Sequence, residues 1–149
     1  MSYKVNSPEI LKDAAQKKLM ILWFVLSGLL ILLFMVLTIL GRFEDKSIKA
    51  WEWLSQNVVP TVTLMAGAMF SSIMRPSSKT LIDRSLFRVT YGLSIFYLTT
   101  LYLTILLAPF AMIYTHLSMI DLFEQSKLYL VIPQGIVSLT IGMFFYNKS

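Results

Sequence analysis

The 149-residue chain is 56% hydrophobic and only 14% charged, and its mean hydropathy is +0.69. Soluble domains run at about 45–50% apolar and about 25% charged residues, so a water-soluble globule is the first class excluded. With no cysteine and a single histidine, His116, a disulfide framework, a thiolate metal site and a histidine cluster are excluded as well. The net charge of +5 falls on residues that flank apolar runs, which points to lipid and topology rather than to nucleic acid.

The chain opens on a basic tail, residues 1–18, containing "NSPEILKDAAQKK". Ser7 suits an N-cap and Pro8 the first helical position, so the sequence predicts a helix running from about Pro8 into the first span. Its cytoplasmic turns would be amphipathic, with Ile10, Leu11 and Ala14 on one side and lysines opposite. Lys17 and Lys18 would meet lipid headgroups or a partner. The plainer alternative is a solvated helix extension carrying positive-inside lysines.

A spanning helix needs about 20 largely apolar residues. The first span is expected at about 19–41, which carries no charge. It is longer than the apolar region of a secretory signal, about 7–15 residues, and no A-x-A-like cleavage site follows, so it reads as retained. Next comes "RFEDKSIKAWEWLSQN", where Trp51 and Trp53 fit an aromatic belt at the outer interface. The second and shortest span is expected at about 58–74, beginning near Pro60. It holds Thr63, Gly67 and Ser71 four residues apart, on one helix face.

The following basic turn, "RPSSKTLIDRSLFR", contains Arg75, Arg84 and Arg88. Pro76 stops the second helix. Thr80 and Asp83 resemble a capping box, so the third helix is expected to begin near Leu81. The arginines would snorkel to phosphates or offer a docking point for a soluble cytoplasmic protein. The third span is expected at about 89–113, with Pro109 kinking or ending it. Thr90, Ser94, Tyr97, Thr100 and Thr104 share roughly a third of its circumference. The outer connection "YTHLSMIDLFEQSK" leads to the fourth span, about 128–147, where Gln134, Ser138 and Gly142 repeat the four-residue spacing. Asp121 and Glu124 read as a solvated acidic pair.

Lys and Arg set the orientation. The tail, the second turn and Lys148 hold Lys4, Lys12, Lys17, Lys18, Arg75, Lys79, Arg84 and Arg88 on one side. Arg42, Lys46, Lys49 and Lys127 make up the rest of the 13. Both termini are therefore expected to face the cytoplasm. Single cysteines at positions 2 and 122 check this: an impermeant thiol reagent added outside the cell should label position 122 and leave position 2 unmodified.

The expected fold is an all-α membrane protein, an antiparallel bundle of four transmembrane helices in one domain. No span contains Asp or Glu, which excludes proton-coupled exporters such as the four-span small multidrug transporters. Nor is there a Ser-His-Asp set, a metal-ligand cluster or a Gly-rich phosphate loop, so neither enzymatic chemistry nor a cofactor is expected. Thr63, Gly67, Ser71, Gln134, Ser138 and Gly142 read as helix-packing seams. Thr90, Ser94, Tyr97, Thr100 and Thr104 read as a seam too, or as the lining of an uncharged pore in a homo-oligomer. Span one, with only Ser27, Gly28 and Thr38 of this kind, is expected to face lipid most.

The order of parts, with "VVPTVTLMAGAMFSSIMRP", then "DRSLFRVTYGLSIFYL", then "VIPQGIVSLTIGMFFYNK", resembles the small four-span membrane proteins of bacterial anti-phage and abortive-infection operons. That resemblance implies a protein that perturbs the membrane, or a membrane sensor paired with a soluble effector. The alternative is an accessory or assembly subunit of a larger membrane complex.

Overall fold

The computed structural model describes residues 9–73, 81–115 and 117–146. Four long helices dominate: α1 (Lys12–Ile39), α2 (Ser47–Ile73), α3 (Arg84–Thr115) and α4 (Met119–Tyr146). Two short strands, β1 (Glu9–Leu11) and β2 (Leu81–Asp83), pair antiparallel, with Ile10 opposite Ile82. The expected Ser7 cap with Pro8, and also Lys4, Arg75, Pro76, Lys79, Thr80, His116 and Lys148, lie outside the described residues.

The strand pair corrects the expected start of α1. Residues 9–11 are extended, and the helix begins at Lys12. The reason is non-local: Ile82 is buried at the end of the bundle, and β1 runs beside it. The same pairing moves the start of α3 from Leu81 to Arg84. There Asp83 caps the helix itself, its Oδ1 accepting the Ser85 N–H at 2.8 Å. Among the described residues a capping box stands at α4. Ser118 and Asp121 bond reciprocally, with 2.6 Å between Oγ and Oδ2 and 3.3 Å from the Asp121 N–H to Oγ.

The end of α1 follows from Gly41. At φ +67° it takes the left-handed conformation that a glycine adopts without a Cβ clash. Its N–H bonds Thr38 O and the Arg42 N–H bonds Leu37 O, both at 3.0 Å. This is the Schellman pattern, which satisfies carbonyls at a helix end. Pro60, Pro109 and Pro133 all lie inside helices. Pro109 therefore does not end α3, which continues to Thr115.

Side-chain contacts fix the arrangement. Residues 53, 56 and 61 of α2 meet 126, 134 and 138 of α4 in ascending order, so these helices run parallel. Residues 23 and 26 of α1 meet 97 and 102 of α3, again parallel. Thr104 meets Tyr129 and Phe87 meets Phe144, so α3 and α4 are antiparallel. Around the bundle the order is α1, α2, α4, α3, with α3 and α4 the most extensive pair. Chain neighbours α2 and α3 thus do not form one of the principal packed pairs, as a simple up-and-down bundle would have it.

Three helices, α1, α3 and α4, are long and apolar enough to cross a membrane. Their outer surfaces carry Ile21, Val25, Leu32, Leu106, Phe110, Val131 and Leu139, all more than half exposed. Patches of that kind are not left open to water, and they place the chain among helical membrane proteins. At 27 residues α2 has the length, but not the apolarity, to be counted with them. Two unpaired strand edges cannot sit in hydrocarbon. The β1–β2 ribbon therefore belongs to an end of the bundle that lies outside hydrocarbon, beyond the charged first turns of α1 and α3.

Candidate functional site

Among the described residues, no group of three or more His, Asp or Glu could hold a metal ion. The polar groups concentrate instead in two places, inside the bundle and along its basic end.

The interior is built around aromatic side chains near the ends of α1 and α3 that lie away from the ribbon. Phe34 of α1, Trp53 of α2 and Phe123 of α4 stack face to face. Trp53 and Phe123 are 4.4 Å apart at 12°, and Phe34 lies 6.0 Å from Trp53 at 9°. Phe43 closes the cluster from the turn after α1, 5.3 Å from Phe34. This corrects the belt assignment for Trp53, which is 1% exposed and a core residue. Trp51 is half-buried, and its Nε1 donates to Thr38 Oγ1 at 3.1 Å. A belt tryptophan and a core tryptophan are identical in local sequence. Only convergence with Phe34, Phe43 and Phe123 separates them.

A polar chain runs inward from this stack. Trp53 Nε1 donates to Ser126 Oγ at 2.7 Å, and that hydroxyl donates to Phe123 O at 2.7 Å. Asn57 Nδ2 donates to Trp53 O at 2.8 Å. The Tyr97 hydroxyl reaches across from α3 to Asn57 O at 2.9 Å and Oδ1 at 3.1 Å. Tyr102 donates to Leu26 O of α1 at 2.7 Å. Asn57 was not singled out in the sequence, although an amide beside an apolar run, three residues before Pro60, signals a group in need of partners. Among the described residues, Trp23 Nε1 and Ser27 Oγ are buried without a partner, one turn apart on α1.

Gln134 has a defined task. Pro60 has no N–H, so the carbonyl four residues earlier, Gln56 O, loses its helical donor. Gln134 Nε2 supplies the missing bond at 2.7 Å. In hydrocarbon no water could do so. Ser138 faces the same helix, its Oγ 3.5 Å from Thr61 Oγ1. Gly142 is half-buried, and a Cβ there would meet nothing within 4 Å. Its small size is therefore not required by close approach inside the chain.

The small face of the second span does not pack within the bundle. The face of α2 that packs inward is Ala50, Trp53, Leu54, Asn57, Val58, Thr61 and Met65. Thr63 and Gly67 are exposed, and a Cβ on Gly67 would meet nothing within 4 Å. The side chain of Ser71 lies outside what is described. The small face thus points away from α1, α3 and α4.

Thr90, Ser94, Tyr97 and Thr104 are buried inside one chain, and Thr100 is half-buried. Apart from Tyr97, each donates its hydroxyl to the carbonyl four residues earlier, at 2.8–2.9 Å. Thr104 also lies 3.2 Å from the Tyr129 hydroxyl. These groups are satisfied within the bundle and do not line a face open to a second copy.

Span one is not simply lipid-facing. Ala15, Gln16, Leu19, Trp23, Ser27, Leu30 and Phe34 form a continuous buried stripe. Lys17 and Lys18 on α1, and Arg84 and Arg88 on α3, are exposed at the ribbon end. On the opposite side Asp121 is engaged in capping, and Glu124 pairs with Lys127 at 3.0 Å, an exposed contact of small weight.

Compared with protein-family models, with curated proteins and with solved structures, the chain has no match.

Proposed function

We propose that the chain is a non-enzymatic integral membrane protein of four spans, with both termini cytoplasmic, that self-assembles through the outer face of α2. The observation that carries this reading is the exposure of Thr63 and Gly67 on the least apolar of the four helices. A helix that is poor in apolar residues and exposes small ones gains little from lipid. It gains more from another helix, because small residues allow backbones to approach closely. The closed interior, where the α3 hydroxyls are already bonded, argues for placing any conducting path between copies rather than through one chain.

In the setting implied by its resemblance to the four-span proteins of anti-phage operons, such an assembly would perturb the inner membrane or sense its perturbation for a soluble partner. The accessory-subunit reading puts a foreign helix on the same face. Mass measurement of the purified protein in detergent separates the two. A homo-oligomer is expected for the wild type, and Gly67→Leu should shift it to the monomer while helicity is retained. A wild type that is monomeric when pure, or a Gly67→Leu variant that assembles normally, would remove the self-assembly proposal.

A further inference from the structure

Between α1 and α3, on the outside of the bundle, lies an open groove of about 350 Å³ lined by Lys18, Ile21, Leu22, Val25, Leu26 and Tyr91. Its size falls in the range of about 300–1,000 Å³ typical of small-molecule sites. The lining is ordered by chemistry. Lys18 stands at the ribbon end, and the α1 residues that follow at helical spacing are all aliphatic. From Lys18 to Leu26 the groove runs about 12 Å at about 1.5 Å per residue. It is therefore a slot with a cationic mouth and an apolar floor, entering the membrane from the ribbon end of the bundle.

We infer that this groove holds one anionic phospholipid, with an acyl chain lying along Ile21, Leu22, Val25 and Leu26 and the phosphate at Lys18. The inference rests on the reading of the chain as a membrane protein. Charge complementarity selects the occupant. Lys17 is exposed beside Lys18, and Arg88 stands one turn before Tyr91 on α3. Among the described residues no carboxylate pairs with any of these three cations. Of the nearby acidic residues, Asp83 is engaged as the cap of α3, and Asp13 stands one turn before Lys17 on the same helix face, so it balances Lys17 and leaves Lys18 and Arg88 as the cations at the groove. The Tyr91 hydroxyl has no bonded partner among the described residues, and a tyrosine at headgroup level donates readily to phosphate. A zwitterionic headgroup would leave the excess positive charge uncompensated, whereas an anionic one neutralises it.

The test is native mass spectrometry of the full-length protein in detergent doped with equal amounts of phosphatidylglycerol and phosphatidylcholine. The wild type should retain one lipid, with phosphatidylglycerol preferred. Lys18→Ala should lower that preference about fivefold, the effect of one basic contact at an anionic surface. Val25→Phe, which fills the groove from an exposed position, should lower retention of both lipids. Circular dichroism should report unchanged helicity for both variants. Equal retention of the two lipids by the wild type, or an unchanged preference in Lys18→Ala, would overturn the site. So would normal retention in Val25→Phe, because the lipid would then lie elsewhere. Alkaline carbonate extraction of the wild type separates this failure from a deeper one. Protein that stays in the membrane pellet without lipid preference loses the groove alone, whereas protein released to the supernatant loses the membrane reading too.

Discussion

Trp53→Ala should destabilise the bundle by about 3 kcal/mol, measured by unfolding in mixed micelles of increasing SDS content. In soluble cores Phe or Trp to Ala costs about 3–5 kcal/mol, part of it the transfer of apolar surface to water. In a bilayer that part shrinks, because lipid tails are as apolar as the side chains they replace. What remains is packing, and Trp53 has much of it to lose. It lies against both Phe34 and Phe123, at 6.0 Å and 4.4 Å, and those two rings also touch each other at 5.8 Å. Its removal opens a void where α1, α2 and α4 converge, and it withdraws the indole N–H from Ser126 Oγ. Trp51→Ala should cost clearly less, since Trp51 is half-buried and makes an edge contact with Phe34. Equal costs for the two tryptophans would return Trp53 to the interfacial belt.

The second large effect concerns a pair of residues. Gln134→Leu should cost about 1 kcal/mol, within the span of about 0.6–2 kcal/mol measured for interhelical hydrogen bonds in membranes. The same substitution made on top of Pro60→Ala should cost almost nothing. Alanine at position 60 brings back the N–H that Gln56 O needs, so the carbonyl no longer depends on Gln134. The coupling between the two sites, read by a double-mutant cycle in SDS titration, is the diagnostic quantity. If Gln134→Leu costs the same with proline or alanine at position 60, then Gln134 serves packing and not the proline defect.

Much of the architecture was legible from the sequence for a simple reason. A helix crossing lipid must exclude charge over its whole span, and charge-free runs are local features of the chain. Each of the four runs expected at 19–41, 58–74, 89–113 and 128–147 overlaps one helix, although the first passes the end of α1 at Ile39 and residues 74 and 147 lie outside the described residues. The helix starts were less legible because charge marks the membrane boundary, not the helix boundary. Each helix begins before its apolar run, by as much as eleven residues at α2, which starts at Ser47. The ribbon of residues 9–11 with 81–83 had no local signal, since neither segment is a strand without the other.

The polar sites divide in the same way. Periodicity gathered Thr90, Ser94, Tyr97 and Thr104 on one face, and they do share the buried side of α3. What spacing could not supply was the direction of that face, which is into the bundle, with Tyr97 meeting Trp23 of α1 and Asn57 of α2 and Thr104 meeting Tyr129 of α4. For α2 spacing left open what meets the small face. Small residues drew attention to Thr63 and Gly67, whereas the inward face is defined by Asn57, Thr61 and Met65. The signal that could have found it is Pro60. A proline in a spanning helix strips one carbonyl of its donor, and Gln134 is the side-chain amide available for it in the fourth span.

The central claim is that the outward face of α2 meets a second copy in the membrane. The chain has no cysteine, so single introduced thiols report proximity without background. Under mild oxidation of intact membranes, Gly67→Cys should form disulfide-linked dimers in high yield, and Met65→Cys, buried within the bundle, should form none. No dimer from Gly67→Cys, or equal yields from both positions, would contradict it.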